Sequence, residues 1–302
     1  VYGLRVTGLL LFTFHLSFFT CSLYAGAGNS GASFLRIGPA ARAAGMADAF
    51  TAIGDDASAI TYNPAGLAQI KKGIQGTLTQ GFWVENINYQ YLAGAMPILK
   101  QGVVGAQVML LNYGDIAEIT ENADGTPNNL NKKFNANDLA AVVGFARALQ
   151  PNLMVGAAGK IVMQTIGGTS GSAFAADLGA IYQINPDLKV GAVIQNIGTK
   201  IKLDILESGL PMTAKAGVAY LTMDKTLTLA LDVGYPFEGG SPSIRPGAEY
   251  LYKTSGDMVV ALRGGYLLGV GIPEAGMTIG AGVNFKLSGT NMSVDAAYTP
   301  YG

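Results

Sequence analysis

From residue 73 onward, apolar side chains alternate with polar or very small ones in runs of roughly ten residues, the length of a tilted strand that crosses an outer membrane. The clearest run sets Met277, Ile279, Ala281, Val283, Phe285 and Leu287 against Thr278, Gly280, Gly282, Asn284 and Lys286. A period of two means a β-strand with one apolar face and one polar face. The pattern predicts thirteen strands, near 73–82, 87–96, 101–111, 137–148, 152–164, 172–184, 187–197, 211–221, 225–235, 243–253, 257–267, 275–287 and 290–299.

The joins are of two kinds. Pro151-Asn152, Asn185-Pro186-Asp187, Met223-Asp224 and Ser255-Gly256-Asp257 are tight, turn-forming links, whereas longer ones fall near 112–136, 165–171, 198–210, 236–242 and 268–274. Short and long joins in rough alternation are the pattern of periplasmic turns and outer loops. The fold class expected is therefore all-β, a membrane-spanning antiparallel β-barrel. Single-chain bacterial barrels close on an even count, so thirteen strands suggest about fourteen in the full protein. Tyr298-Thr299-Pro300-Tyr301-Gly302 reads as the opening of a turn, and the sequence as a fragment lacking its last strand. The sheet should accordingly be open.

Strand phase assigns the two faces. Leu227, Leu229, Leu231, Val233 and Tyr235 share one face; Thr226, Thr228, Ala230, Asp232 and Gly234 share the other. The charges Asp177, Lys215, Asp232, Arg245, Glu249, Arg263, Lys286 and Asp295 all fall on the second kind of face. An Arg or Lys facing mid-bilayer costs about 2–4 kcal/mol, so this phase turns the charges inward.

Composition agrees. Hydrophobic residues make up 49% of the chain and charged residues only 13%, against roughly 25% in a soluble domain. Mean hydropathy is +0.31. No internal stretch supplies the eighteen or so uninterrupted apolar residues of a membrane helix. A soluble β-sandwich is the rival, but its solvent faces would need Lys and Glu where this chain has many Gly and Ala.

The chain divides into 1–27, 28–72 and 73–302. In the first part Arg5 precedes Leu9, Leu10, Leu11, Phe12, Phe14, Leu16, Phe18 and Phe19, and Ala25-Gly26-Ala27 offers small residues for cleavage. That is a secretory signal; a buried first helix is the alternative, and cleavage after Ala25 is nearly as suitable. Cys21 lies before either site, so no lipid anchor is expected. Removing 1–27 leaves no His and no Cys, with 19 − 1 = 18 Lys and Arg against 20 Asp and Glu. Disulfides, thiolate nucleophiles and Cys/His zinc sites are then excluded, and the balance gives no reason to invoke nucleic acid.

Residues 28–72 do not alternate. After a leader at 28–33, Pro39 suits a first helical turn, and Ala40, Ala41, Ala43, Ala44, Met46, Ala47, Ala49 and Phe50 follow at helical spacing. Gly54 should stop that helix, Asp55 or Asp56 should cap a second through Ile60, and Asn63-Pro64 opens a turn. Small inward Gly and Ala residues leave room for this segment inside the barrel as a helical plug. Arg36, Arg42, Asp48, Asp55 and Asp56 concentrate charge there and can pair with Arg245, Glu249 and Arg263. The pairing is either a latch that senses a ligand or partner, or simply a fixed plug. Asp55-Asp56 lacks the oxygen-rich loop of a calcium site. No metal or other cofactor is expected, and no catalytic constellation emerges. Trp83, Tyr89, Tyr91, Tyr182, Tyr220, Tyr250 and Tyr266 near strand ends read as an interfacial aromatic girdle, with an aromatic ligand pocket as the alternative.

The run from Phe34 to Phe50, then Gly54-Asp55-Asp56-Ala57-Ser58-Ala59, then Tyr62-Asn63-Pro64-Ala65-Gly66-Leu67, resembles the N-terminal region of the PorV/PorQ family of outer-membrane proteins. That family is similar to the FadL-type fatty-acid channels, with a fourteen-strand barrel, an N-terminal plug and an Asn-Pro-Ala turn. The resemblance implies one of two non-enzymatic roles in the bacterial outer membrane. PorV-like members receive exported proteins in type IX secretion and pass them to an attachment complex; FadL-like members pass hydrophobic small molecules. The leading expectation is a secretion or surface-assembly accessory, with hydrophobic-solute uptake second and a structural barrel third. The expected partners are outer-membrane lipid and proteins of the secretion or assembly system, docking at 113–136 and 198–210, or else a hydrophobic ligand.

Overall fold

The computed structural model describes residues 30–83, 87–98, 101–238, 240–269 and 276–300; the expected signal peptide lies outside them. Thirteen strands join in chain order into one antiparallel sheet. They are β1 (Gln75–Phe82), β2 (Asn88–Ile98), β3 (Gly102–Glu121), β4 (Pro127–Gln150), β5 (Leu153–Ile166), β6 (Thr169–Asn185) and β7 (Leu188–Gly198), then β10 (Thr213–Thr222), β11 (Leu227–Pro236), β12 (Ser243–Lys253), β13 (Val259–Leu267), β14 (Gly276–Leu287) and β15 (Thr290–Tyr298). Between β7 and β10, β8 (Ile201–Leu203) and β9 (Leu206–Ser208) form a separate hairpin. Among the described residues no pairing joins β1 to β15, so each is an edge of a sheet consistent with a barrel-type fold.

The outer face carries Leu78, Leu92, Val143, Phe174, Leu231, Leu262, Ile279 and Val294, all well exposed, while alternate positions are buried or half-buried. The N-terminal segment lies against the other, inner face. Its helix α1 (Ala41–Ala44) touches β14 and β15, and its 3-10 helix Pro64–Gln69 touches β3 to β6. One short segment reaches both ends of the sheet only because the sheet curls around it.

Three joins differ from expectation. The 112–136 stretch is not a loop: β3 and β4 run on through it as a two-stranded ribbon that turns at 122–126. Backbone pairing and cross-strand contacts such as Ile116 with Phe134 sustain a ribbon without the one-sided burial that alternation reports. The 165–171 join is a tight turn at Gly167-Gly168, whose φ values of 57° and 90° suit glycine. The 198–210 stretch contains the β8–β9 hairpin, folded against β6 with Ile201 and Leu210 buried.

The N-terminal segment is less helical than its spacing suggests. Only one turn of helix forms after Pro39; Ala47 and Asp48 then adopt left-handed φ values of 54° and 58°. Side chains of the sheet replace the lost helical acceptors. Thr278 Oγ1 accepts from Ala47 N at 3.0 Å, and Asp232 Oδ2 accepts from Phe50 N and Thr51 N at 3.1 and 2.9 Å. The second helix, α2 (Ala59–Tyr62), has Ser58 at its N-cap, and Asp56 instead accepts from Ser58 N and Oγ in the turn before it.

A belt of inward glycines lets the segment sit this close. Gly105, Gly144, Gly156, Gly179, Gly191, Gly217, Gly247, Gly265 and Gly280 come from nine different strands, and a Cβ on each would fall within 3.3 Å of the segment. At Gly156 it would lie 2.4 Å from the Pro64 carbonyl carbon, and at Gly265 2.4 Å from that of Met46. These are contacts with backbone, which cannot swing aside. Gly265→Val should therefore lower the unfolding free energy in detergent or lipid by about 1–3 kcal/mol. Gly264→Val, on the outer face with nothing within 4 Å of its added Cβ, should be near neutral in the same measurement.

Candidate functional site

Charge in this molecule converges where the N-terminal segment meets β12 to β15. Arg42 on α1 is held in two directions. Its Nε and Nη2 each donate to Glu249 at 2.9 Å, and its Nη1 donates to Asp55 at 2.6 Å and Asp56 at 3.1 Å. Glu249 on β12 also accepts from Arg263 Nε on β13 at 2.7 Å, and Arg263 Nη1 reaches Asp295 on β15 at 2.6 Å. The chain of contacts thus runs from the segment across to the last described strand. Both central side chains are almost inaccessible, Glu249 at 3% and Arg263 at 2%, while Arg42 keeps 24%. Burial lowers the pKa of Arg42, but the charges of Asp55 and Glu249 outweigh it and hold the guanidinium well above its ordinary value. Arg42 also stacks 5.2 Å over the ring of Phe50.

A second contact joins Asp48 to the wall. Its carboxylate accepts from the Tyr62 hydroxyl at 3.1 Å and pairs with Arg245 Nη1 at 3.4 Å. Burial, with the Asp48 charge behind it, raises the Tyr62 pKa well above the usual phenol value, so the hydroxyl stays a donor. Asn63 makes the third tie. Its Oδ1 caps Ala65 N, and its Nδ2 donates to Thr51 O, Ala180 O and Ala192 O at 2.8, 3.2 and 3.4 Å. The amide so binds the segment to itself and to β6 and β7, with Pro64 at the first 3-10 position resting over Gly156.

The remaining expected residues are scattered. Arg36 donates to Ser30 Oγ and Glu238 O. Asp177 lies far from the Arg42 cluster in sequence and pairs with Lys160, 2.8 Å away, while accepting from Asn196 N at a bulge between β6 and β7. Lys215 lines a cavity of about 10 Å³ with Asp48, Tyr62 and Gln195, room for about one water. Lys286 is exposed near the end of β14 and joins no cluster. Lys160, and the buried string Asp138–Gln164–Ala32 N, were missed as site residues: isolated polar positions within apolar strands are the one sequence signal for them.

The aromatic girdle also needs correction. Tyr91 is fully buried on the inner face, where its hydroxyl meets Thr61 and Gln107, and Tyr89 and Trp83 pack half-buried against the same core. On β2 the outward phase belongs to Leu92 and Met96. Tyr182, Tyr220, Tyr250 and Tyr266 do face outward. Among the described residues no group of acidic, Cys or His side chains is arranged to hold a metal ion. A second concavity, about 470 Å³, is an open apolar groove on the outer face over Val108, Val143, Ile161 and Phe174.

The family model described as type IX secretion system protein PorV matches residues 27–233. No curated protein sequence matches the chain. Among solved structures, the Ralstonia pickettii toluene transporter TbuX aligns with a TM-score of 0.60 at 15% identity, covering 86% of this chain and 96% of its own. A Pseudomonas aeruginosa FadL homologue aligns at 0.58 with 11% identity over 86% and 89%, and the Pseudomonas putida toluene transporter TodX at 0.54 with 12% identity over 82% and 91%. At such identities the likeness is one of fold.

Truncating Arg42 leaves the buried Glu249 with Arg263 as its remaining ion-pair partner. Arg42→Ala should cost about 2–3 kcal/mol, below the ~3–5 of a fully buried pair because Arg42 is partly accessible. Adding Glu249→Gln should recover part of that loss. Thermal unfolding of the two single variants and the double variant gives the coupling directly; strictly additive losses would show that the pair is idle.

Proposed function

The chain belongs to the PorV family, and from that premise we propose that it is a plugged barrel serving as a secretion or surface-assembly accessory. It is a non-enzymatic protein of the bacterial outer membrane. The observation that carries the finer reading is the filled interior. Inward side chains facing the N-terminal segment are small, and the segment lies on their backbone. The cavity that Lys215 lines with Asp48 and Tyr62 is about 10 Å³, far below the about 300–1,000 Å³ typical of a small-molecule site. A barrel packed in this way acts through its rim, where the β3–β4 ribbon projects. Arg42, Asp48, Asp55, Asp56, Asn63 and Pro64 then serve to fix the plug, with Asp177, Lys215, Asp232, Arg245, Glu249 and Arg263 as the inner charges of the wall.

Passive transfer of hydrophobic small molecules is the second reading, and the solved structures favour it over the first: toluene transporters and a FadL homologue share this fold. It requires the plug to move, because the described β2–β3–β4 pairing is continuous from Val103 to Asn112 and leaves no side opening there.

The two readings separate in one preparation. The detergent-purified protein should show no saturable binding of a fatty acid or of toluene, and should crosslink to exported proteins through cysteines placed in the 122–126 turn. Saturable fatty-acid or toluene binding that is lost on changing Asn63 or Pro64, without crosslinking, would establish the channel instead.

A further inference from the structure

We propose that the free edge of β3 in the projecting ribbon, residues 115–121, is a strand-addition site for an extended, basic segment of an exported protein. This rests on the accessory reading above and names its partner chemistry. Pairing of β3 with β2 ends at Asn88↔Asn112, and pairing of β4 with β5 ends at Ala136↔Ile166. Past those points the β3 side of the ribbon pairs with no strand among the described residues, while on the β4 side Gly167 N still donates to Asn135 O. At about 3.3 Å per residue, β3 extends roughly 30 Å beyond its last pair with β2. The ribbon rises at the end with the longer connections, which in outer-membrane barrels is the extracellular end.

An exposed edge of this kind offers a row of unsatisfied N–H and C=O groups, the template on which β-augmentation works. The two edges of the ribbon are not equivalent. On β4, Pro127 lacks an N–H, and register is broken between Lys133 and Asn129, with Asn131 at a left-handed φ of 53°. Those are features that blunt an edge. On β3 the register shifts near Gly114 and again between Ala117 and Ile119, opposite the break on β4, but 115–121 holds no proline and no residue at positive φ.

Charge then selects the partner. Asp115 is matched within the ribbon by Lys133 at 3.3 Å, whereas the half-buried Glu118 and the exposed Glu121 make no such ion pair among the described residues. Two β3 edges brought together would set these carboxylates against each other, and like charges across a strand pair are destabilising. Glu118 and Glu121 project to opposite faces, so the edge disfavours pairing with its own copy and favours a strand bearing Lys or Arg on both faces. The exposed Ile119 adds an apolar contact on the same face as Glu121.

The test uses the full-length protein in detergent and three labelled peptides read by fluorescence anisotropy. One is a lysine–threonine strand with lysines on both faces, one has the same sequence N-methylated at alternate amides, and one carries glutamate in place of each lysine. The lysine peptide should bind, and N-methylation along the pairing edge should weaken it by about tenfold or more, because several backbone hydrogen bonds are lost. The double variant Glu118→Lys/Glu121→Lys should lose the lysine peptide and gain the glutamate one. Absence of lysine-peptide binding, equal binding of the N-methylated peptide, or no effect of charge reversal would each overturn the site. If the charge-reversed protein still crosslinks to exported proteins through the 122–126 turn, the edge is wrong and the accessory reading stands. If the wild-type protein makes no such crosslinks, that reading fails independently of the peptide result.

Discussion

Contact with lipid is the constraint on which the rest of this molecule depends. A wall whose outer face must be apolar turns most of its strand charges inward, Asp177, Asp232, Glu249 and Arg263 among them. Arg147, near the end of β4, is on the outward phase. The inward charges are removed from bulk water, and a buried charge is tolerable only when paired and hydrogen-bonded. The N-terminal segment supplies the partners: Arg42 for Glu249, Asp48 for Arg245, and the Phe50 and Thr51 amides for Asp232. Where the segment does not reach, the wall pairs internally, as Lys160 does with Asp177.

The same constraint explains the glycines. An outer face of large apolar residues leaves the inner positions as the only ones free to be small, and the segment needs them small. Its contacts with the wall are largely backbone on backbone, as where Gly45 and Gly280 approach or where Met46 meets Gly247 and Gly265. Close backbone approach also brings main-chain carbonyls within reach of polar side chains, so Asn63 can bind three of them at once. Packing and polar satisfaction therefore reinforce each other where the segment meets the wall.

A filled interior shifts attention to the rim. The β8–β9 hairpin folds back over β6 and is stitched to the leader through Gly31 N and Gly209 O, narrowing the mouth. Only its turn keeps large apolar side chains in the open, at Ile205 and Leu206. The β3–β4 ribbon does the opposite and stands clear of its neighbours. Rim and plug are thus mechanically linked on one side of the molecule and independent on the other.

The alternation of side chains was enough to place eleven of the thirteen strands within about three residues, assign their faces and bring Asp232, Arg245, Glu249 and Arg263 inward, because a period of two is a local property that lipid enforces strand by strand. The other two, β3 and β4, each run about ten residues beyond their expected ends. The Arg42 and Asp48 contacts were legible for a similar reason: charge is so scarce that few pairings exist. Other features were decided only in three dimensions. The 39–50 stretch has helical spacing yet forms a single turn, since Thr278 and Asp232, some two hundred residues away, accept the hydrogen bonds a helix would have made. Tyr91 left the girdle because the phase of β2 is set by its register with β3. The 112–136 ribbon was hidden because alternation reports burial on one face, and this ribbon buries neither. Which of the wall's charges meet the segment depends on how the sheet curls, and curvature is a property of all thirteen strands together.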